Sequence, residues 1–296
     1  MIGNRDEPLI LNGRLLRDQG IARLAKKINE SGKKPTLAIL QVGDLVESNS
    51  YIEQKRKFAE KIGAGFVRKQ FPNDVTDESL IKEISELNTN PQINGIILQL
   101  PVPQHLDKQK IIDTIALAKD TDGLTSDNKK LFESGDRRAV VPATARGTLS
   151  LLTGYGISLR DKKVTVIGRS ALVGAPITTL VAREGATVTV CHRGTEDIPG
   201  KCRQADVLVV AAGQPKFVTR DFVSYGQVVV DVGINSVAGK KLEEEIPKRE
   251  LVGDVDFDGV KDVVTAISPV PGGVGPMTVL SLFENLVSAY EMQSAS

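Results

Sequence analysis

Lys163-Val164-Thr165-Val166-Ile167 runs straight into Gly168-Arg169-Ser170, and Val173-Gly174-Ala175-Pro176 follows after two residues. The first five residues, β-branched and apolar, read as a buried strand. A helix continues to Glu184, and Ala186 to Cys191 makes the next strand. Strand, glycine turn, helix, strand is the order of half a dinucleotide-binding fold, in which small residues let phosphate approach the backbone. The spacing here is Gly168 to Gly174 and not Gly-x-Gly-x-x-Gly, so an ordinary strand-to-helix turn stays open. Two more strands, Asp206 to Ala211 and Gln227 to Val232, extend the sheet.

Working outward, Pro142-Ala143-Thr144-Ala145-Arg146-Gly147 introduces a helix through Leu149, Leu151 and Leu152, and this second unit begins near Val140. Upstream, the spacing of Ile21, Leu24, Ala25 and Ile28 is helical, and strands are expected over Thr36–Val42, Gly65–Phe71 and Gly95–Leu98. Helices separate them, one carrying Tyr51 and Lys55 and another running from about Thr76 to Leu87. Strands that alternate with helices make parallel sheets, and ligands then sit on the loops after the strands.

With 296 residues, 41% apolar and 25% charged, the chain has room for two domains with their own cores. Thirty-eight basic against 37 acidic side chains give no field that would draw nucleic acid or an anionic membrane. The longest apolar strip, Val207 to Ala212, is far short of a bilayer span. Arg5, Asp6 and Glu7 leave no apolar signal core at the start, so a cytoplasmic protein is expected. Two cysteines, Cys191 and Cys202, cannot make a disulfide framework, and two histidines exclude a histidine-rich metal centre.

Within the first unit, Tyr51 and Lys55 lie four residues apart on one helix face, with Ser48 or Asn49 as the expected cap and Gly63 past the end. A solvated lysine beside a half-buried tyrosine is the alternative that spacing leaves open. Gln99-Leu100-Pro101-Val102-Pro103 ends a strand with two prolines, presenting Gln99 at its carboxyl end. Lys119-Asp120-Thr121-Asp122-Gly123 reads as a tight polar turn. Ser268-Pro269-Val270-Pro271-Gly272-Gly273-Val274-Gly275-Pro276-Met277-Thr278 is both stiff and able to approach a ligand closely. The helix after it carries Leu280, Phe283, Val287 and Tyr290 on one face, which is expected to pack back on the first domain. Gln293 to Ser296 is expected to be a disordered tail.

Taken in order, Ser48-x-x-Tyr51-x-x-x-Lys55, Gln99-Leu100-Pro101-x-Pro103, Lys119-Asp120-x-Asp122-Gly123, Gly168-Arg169-Ser170-x-x-Val173-Gly174-x-Pro176, Asp231-Val232-Gly233-Ile234-Asn235, Gly253-Asp254-Val255 and Pro269 to Thr278 closely resemble the bifunctional methylenetetrahydrofolate dehydrogenase/methenyltetrahydrofolate cyclohydrolase family. The resemblance implies an α/β protein of two domains flanking a cleft, the second a Rossmann-type dinucleotide-binding domain, with the C-terminal helix returning to the first. On that pattern residues 1–139 and 270–296 form the folate-binding catalytic domain, and 140–269 the NAD(P)-binding one. Tyr51 would stack on the p-aminobenzoate ring, Lys55 would stand at the one-carbon bridge in contact with Gln99, and Asp122 would hold the pterin. Ser48, Leu98, Leu100, Pro271, Gly272 and Gly275 would line the folate site, and Gly168, Arg169, Ser170, Arg193, Ile234 and Thr144 would meet the cofactor. No metal is implied. The family is typically a homodimer, for which the second domain's later strands are expected to offer an edge.

The implied chemistry fits these residue types. Hydride removal from the methylene bridge leaves a cation stabilised by two nitrogens, so that step chiefly needs a nicotinamide held in line. Hydrolysis of the methenyl product needs one proton taken from water and one delivered to nitrogen, which a single amine can do. Lowering a lysine from its usual value to near neutrality costs about 3 to 4 kcal/mol. Desolvation pushes that way, and a neutral neighbour such as Gln99 does not oppose it. Arg193 stands where the family more often has a serine that contacts the 2′-phosphate. Two arginines and no acidic residue at the strand end still favour NADP over NAD. Ala143 and Ala145 depart from the usual cysteine and proline, and a cyclohydrolase with weak dehydrogenase activity, or a folate-binding protein without catalysis, remains open.

Overall fold

Buried β-branched runs joined by helical crossovers leave the chain little choice but parallel sheets, and two form. The structure is a computed structural model and describes residues 7–32, 34–238 and 249–295. In chain order the elements are β1 (Leu9–Ile10), α1 (Gly13–Ser31), β2 (Thr36–Val42), α2 (Val46–Ile62), β3 (Gly65–Phe71), α3 (Asp77–Thr89), β4 (Gly95–Leu98), α4 (Lys108–Ile112), α5 (Ser126–Ser134) and α6 (Ala143–Gly154). There follow β5 (Lys163–Ile167), α7 (Gly174–Arg183), β6 (Thr187–Cys191), α8 (Ile198–Arg203), β7 (Val207–Val210), β8 (Val228–Asp231), β9 (Asn235–Ala238), β10 (Arg249–Val252), α9 (Phe257–Val260), β11 (Ala266–Ile267) and α10 (Val274–Ala295).

The chain divides into two compact units, one of Asp18–Ala143 with the residues from Val279 onward, the other of residues up to Arg17 with Thr144–Thr278. In the first, β2 pairs in parallel with β3 on one side and β4 on the other, so Ile39 faces Arg68 and Ile97 across the ladder. Leu37, Ile39, Leu40, Ile96 and Ile97 are all buried there. Strand β2 is apolar from Leu37 to Leu40 and buried from Leu37 to Val42, as a central parallel strand must be. The expected stripe of α10 is covered as well: Leu280, Phe283 and Val287 are buried, and Phe283 stacks on Phe58 of α2 with ring centroids 4.8 Å apart. The end of that helix is not the disordered tail the composition suggested. Gln293 donates from Nε2 to the carbonyls of Asn94 (2.9 Å) and Ala118 (2.7 Å), while Ser296 lies outside the described residues.

The second unit holds a six-stranded parallel sheet in the order β1-β11-β8-β7-β5-β6, with β9 and β10 a separate antiparallel pair. Strands β7 and β8, expected to offer an edge, are interior; the edges are β1 and β6. Strand β1 also places the start of the chain with this sheet, whereas the sequence pattern assigned residues 1–139 to the folate domain. A two-residue strand has no periodicity to detect, and its anchoring is nonlocal: Leu11 is fully buried, the Asn12 N–H donates to the Tyr155 hydroxyl at 2.9 Å, and the Gly13 N–H to the Gly272 carbonyl at 2.8 Å.

Candidate active site

Helix α2 begins at Val46, two residues before the expected cap, with Leu45 in the cap position and no side chain closing the first turn. Ser48 is buried inside the helix, and Asn49 accepts from Gln41 (2.9 Å) and Arg68 (2.7 Å) instead of capping. The other end is as expected. Gly63 takes the left-handed conformation, φ 78°, and its N–H donates to the carbonyls of Ala59 and Glu60.

This frame fixes Tyr51 and Lys55 on one face of α2, both half-buried. Strand β4 ends beside them: the Gln99 N–H continues the ladder to the Leu40 carbonyl (2.8 Å), after which Leu100-Pro101 is a cis peptide. Lys55 Nζ donates to Gln99 Oε1 at 2.8 Å, and Gln99 Nε2 donates to the Leu100 carbonyl at 2.8 Å. The second bond orients the amide so that its oxygen meets the amine. Gln99 itself is only 8% exposed, between buried Leu98 and half-buried Leu100.

Burial pushes the Lys55 amine below the usual lysine range, and the charge of Asp122 pulls it partly back. Asp122 moves up for the same reason, through burial first, against the pull of Lys55 and with the nearby Asp120 charge. Both groups are thus driven toward their neutral forms. The Tyr51 hydroxyl is likewise pushed up by burial and by Glu47. Among the described residues no hydrogen bond from protein reaches the Asp122 carboxylate, which leaves its oxygens open to a ligand's donors.

The residues that hold Asp122 had no role in the sequence reading. Asp120 accepts from the N–H groups of Gly123 (2.8 Å), Leu124 (3.2 Å) and Thr125 (2.8 Å), closing the turn from below. Buried Lys119 donates to the carbonyls of Leu87 (2.9 Å) and Asn90 (2.8 Å) at the end of α3. Asn128 Nδ2 donates to the Gly123 (3.1 Å) and Val140 (2.8 Å) carbonyls, and Asn285 Nδ2 to those of Thr121 and Val141, both at 3.0 Å. Asn128 and Asn285 are polar positions within buried helix faces, which is the signal that could have found them.

In the other unit the glycine turn after β5 is built for close approach. Gly168 has φ 112°, and a Cβ there would lie 2.2 Å from the Ala211 carbonyl oxygen. A Cβ on Gly174 would meet the Gly168 carbonyl oxygen at 2.2 Å. Ser170 Oγ accepts from the N–H groups of Val173 (3.2 Å) and Gly174 (3.4 Å) at the start of α7, and Arg169 is exposed. At the end of β6 the His192 N–H donates to Thr195 Oγ1 (3.0 Å), making a tight turn that leaves Arg193 exposed. Thr144 is half-buried in the first turn of α6, between buried Ala143 and Ala145. Ile234, 44% exposed, has its Cδ1 3.8 Å from where a Cβ on Gly275 would sit, so the 232–235 loop and the start of α10 meet. The Gly13 N–H bond to its carbonyl ties Gly272, itself at φ 123° and preceded by exposed Pro271 in a cis peptide.

Comparison with known proteins covers nearly the whole chain. Residues 11–122 match the model of the tetrahydrofolate dehydrogenase/cyclohydrolase catalytic domain, and residues 142–294 that of the NAD(P)-binding domain of the same enzymes. The bifunctional protein FolD of Anoxybacillus flavithermus is 41% identical over 287 residues, covering 96% of this chain and 98% of its own. The FolD of Methanoculleus marisnigri is 40% identical over 97% of this chain and 98% of its own. Among solved structures, the Trypanosoma brucei N5,N10-methylenetetrahydrofolate dehydrogenase-cyclohydrolase, complexed with NADP cofactor and inhibitor, is 34% identical with a TM-score of 0.92 over 98% of this chain and 99% of that one. The bifunctional FolD of Campylobacter jejuni, 37% identical, gives 0.88 over 96% and 98%. With both of its domain models matched and relatives at this identity along almost its full length, the chain belongs to the tetrahydrofolate dehydrogenase/cyclohydrolase family.

Proposed function

We propose that this chain oxidises 5,10-methylenetetrahydrofolate to the methenyl form with NADP and then hydrolyses it to 10-formyltetrahydrofolate, the folate being held by the Asp18–Ala143 unit and the dinucleotide by the Thr144–Thr278 unit. The observation that carries the reading is the 2.8 Å bond from Lys55 Nζ to Gln99 Oε1, on an amine that burial holds below its usual range. A neutral amine that donates one hydrogen to Gln99 keeps its lone pair free. Water attacking the methenyl carbon passes one proton to Nζ, the ammonium so formed gives it to a folate nitrogen as the C–N bond breaks, and the oxygen left on the carbon releases its second proton to solvent as the formyl C=O forms. Gln99 orients the amine without the charge that would hold it protonated. Tyr51 offers a ring face to the p-aminobenzoate, with Ser48, Leu98 and Leu100 lining the same wall. Asp122 accepts the pterin's N–H donors, which supports both reactions alike. Pro271, Gly272 and Gly275 are assigned to folate binding by the family pattern.

Bound NADP supplies the hydride acceptor. Gly168, Gly174 and Ser170 suit its pyrophosphate, since side chains at the two glycines would fill the turn. Arg169 and Arg193 suit the 2′-phosphate, Thr144 and Ile234 the nicotinamide side, and β6 ends without the carboxylate that would choose a free 2′-hydroxyl. A homodimer paired through the exposed edge strand β6 and a cytoplasmic location complete the proposal; among the described residues no helix is long and apolar enough to cross a membrane.

A spectrophotometric assay that follows methenyl-folate formation and decay tests it. Lys55→Met is expected to abolish decay, by about 1,000-fold or more, while leaving formation measurable. Equal survival of both activities refutes the role of Lys55. In the unaltered enzyme, decay without formation would mean a cyclohydrolase alone, and neither would mean a binding protein.

A further inference from the structure

Two buried aspartates lie together at the carboxyl ends of β8 and β10, and neither has a cationic partner among the described residues. Asp231 Oδ1 accepts from the N–H groups of Gly233 (2.9 Å) and Asp254 (3.1 Å), and its Oδ2 from that of Val255 (2.9 Å). Asp254 Oδ2 accepts from the Gly213 N–H (2.8 Å), while its Oδ1 accepts from the Gln214 N–H (2.9 Å) and from Asn235 Nδ2 (2.8 Å). Six donors converge on two carboxylates. They come from the loops after β7 and β8, from the first residue of β9 and from the turn that carries Asp254 itself.

These loops border the dinucleotide turn. Ile167, Val210 and Asp231 stand side by side in adjacent strands, and the carbonyl of Ala211, one residue on, sits where a side chain on Gly168 would collide. Ile234 is held from both sides, Gly233 tied to Asp231 and Asn235 to Asp254. Two glycines make room for the arrangement, since a Cβ on Gly233 would lie 2.1 Å from Asp254 Cγ and one on Gly253 1.9 Å from Asp231 Oδ2. Burial pushes Asp231 up to about 7 although three N–H groups pull it down. Buried carboxylates with no cation beside them are a costly way to close a loop when neutral groups would serve for packing alone.

We propose that Asp231 and Asp254 are a positioning pair for the dehydrogenase reaction, fixing the residues on either side of Ile234 and so setting the surface against which the nicotinamide end of the coenzyme rests. The proposal rests on the reading of Ile234 as a coenzyme contact. The hydrolysis of methenyl-folate, which needs no dinucleotide, is the internal control.

The variants are Asp254→Asn, Asn235→Ala as a milder cut of the same tie, Ile234→Ala, and Asp254→Asn combined with Ile234→Ala. Asp254→Asn is expected to lower kcat/KM for NADP at least about tenfold and to weaken NADPH in a fluorescence titration, with methenyl hydrolysis within about twofold of the parent. In the dinucleotide-free protein, amide exchange at Gly213 and Gln214 should accelerate. The double variant should be no worse than the poorer single one, because both act through one contact. Unchanged NADP parameters in folded Asp254→Asn and Asn235→Ala, a parallel fall in hydrolysis, or effects that add to those of Ile234→Ala each overturn the proposal. Should Asp254→Asn not fold, Asn235→Ala decides. If Ile234→Ala alone leaves the NADP parameters unaltered, the coenzyme-contact reading fails and this pair's role falls with it; impairment there with none in the aspartate variants sinks the pair's role only.

Discussion

Lys55 and Gln99 are 44 residues apart, so no window of sequence could show that one donates to the other. Residue types alone left a solvated lysine open, and only the ladder bond that seats Gln99 at the end of β4 brings its amide to the amine. Three expectations belong to this scale. Because burial lowers Lys55, its protonated fraction falls as pH rises through a value below the ordinary lysine range, and kcat for methenyl hydrolysis should climb across that interval before levelling. Gln99→Glu puts a carboxylate beside the ammonium, favours the charged form and should move that limb to higher pH by about one unit or more, with the rate partly recovered in alkaline buffer. A profile that does not shift would separate Gln99 from the control of the amine. Asp122→Ala tests the other half: both activities should fall about tenfold or more with a raised KM for folate, since the pterin's donors lose their acceptor.

At the scale of elements, β2, β3, β4 and β5 were legible nearly to the residue, because β2, β4 and β5 are mainly apolar and all four are bounded by glycine, proline or polar turns, whereas β1, β9, β10 and β11 were not read. The start of α2 was not. Its first turn is Val46 and Glu47, and the polar residues that resemble a cap are instead used by the sheet edge, Asn49 by Gln41 and Arg68. The Asp122 turn was visible as a motif, but its supports Asn128 and Asn285 come from α5 and α10 and carry no mark except polarity on a buried face. Two glycines give contrasting predictions. Gly63→Ala faces only Ile28 and Asn29 at 3.8 and 3.9 Å, so its cost is the left-handed backbone, about 1 kcal/mol in urea unfolding with activity kept. Gly168→Ala must also displace the Ala211 carbonyl, and NADPH binding should be lost while methenyl hydrolysis continues.

For the molecule as a whole, two α/β units followed from alternation, and the return of the final helix from its apolar stripe. What pattern could not supply was the allegiance of short or distant pieces, such as β1 with the larger sheet. The Phe58–Phe283 stack is the measure of how much the returning helix contributes. Phe283 is fully buried, and Phe283→Ala should cost about 3 to 5 kcal/mol in denaturant unfolding followed through the Asp18–Ala143 unit. That unit is stitched from Asp18–Ala143 and the stretch from Val279 onward, with the whole Thr144–Thr278 segment made in between. A ribosome working from the amino end therefore exports a half-finished folate domain, and the hydrophobic seat for Phe283 stays open until the residues from Val279 onward have been made. Nascent chains of this protein should lean on holdase chaperones for longer than their size suggests, and a premature stop just before Val279 should yield an insoluble product, not a half-active one.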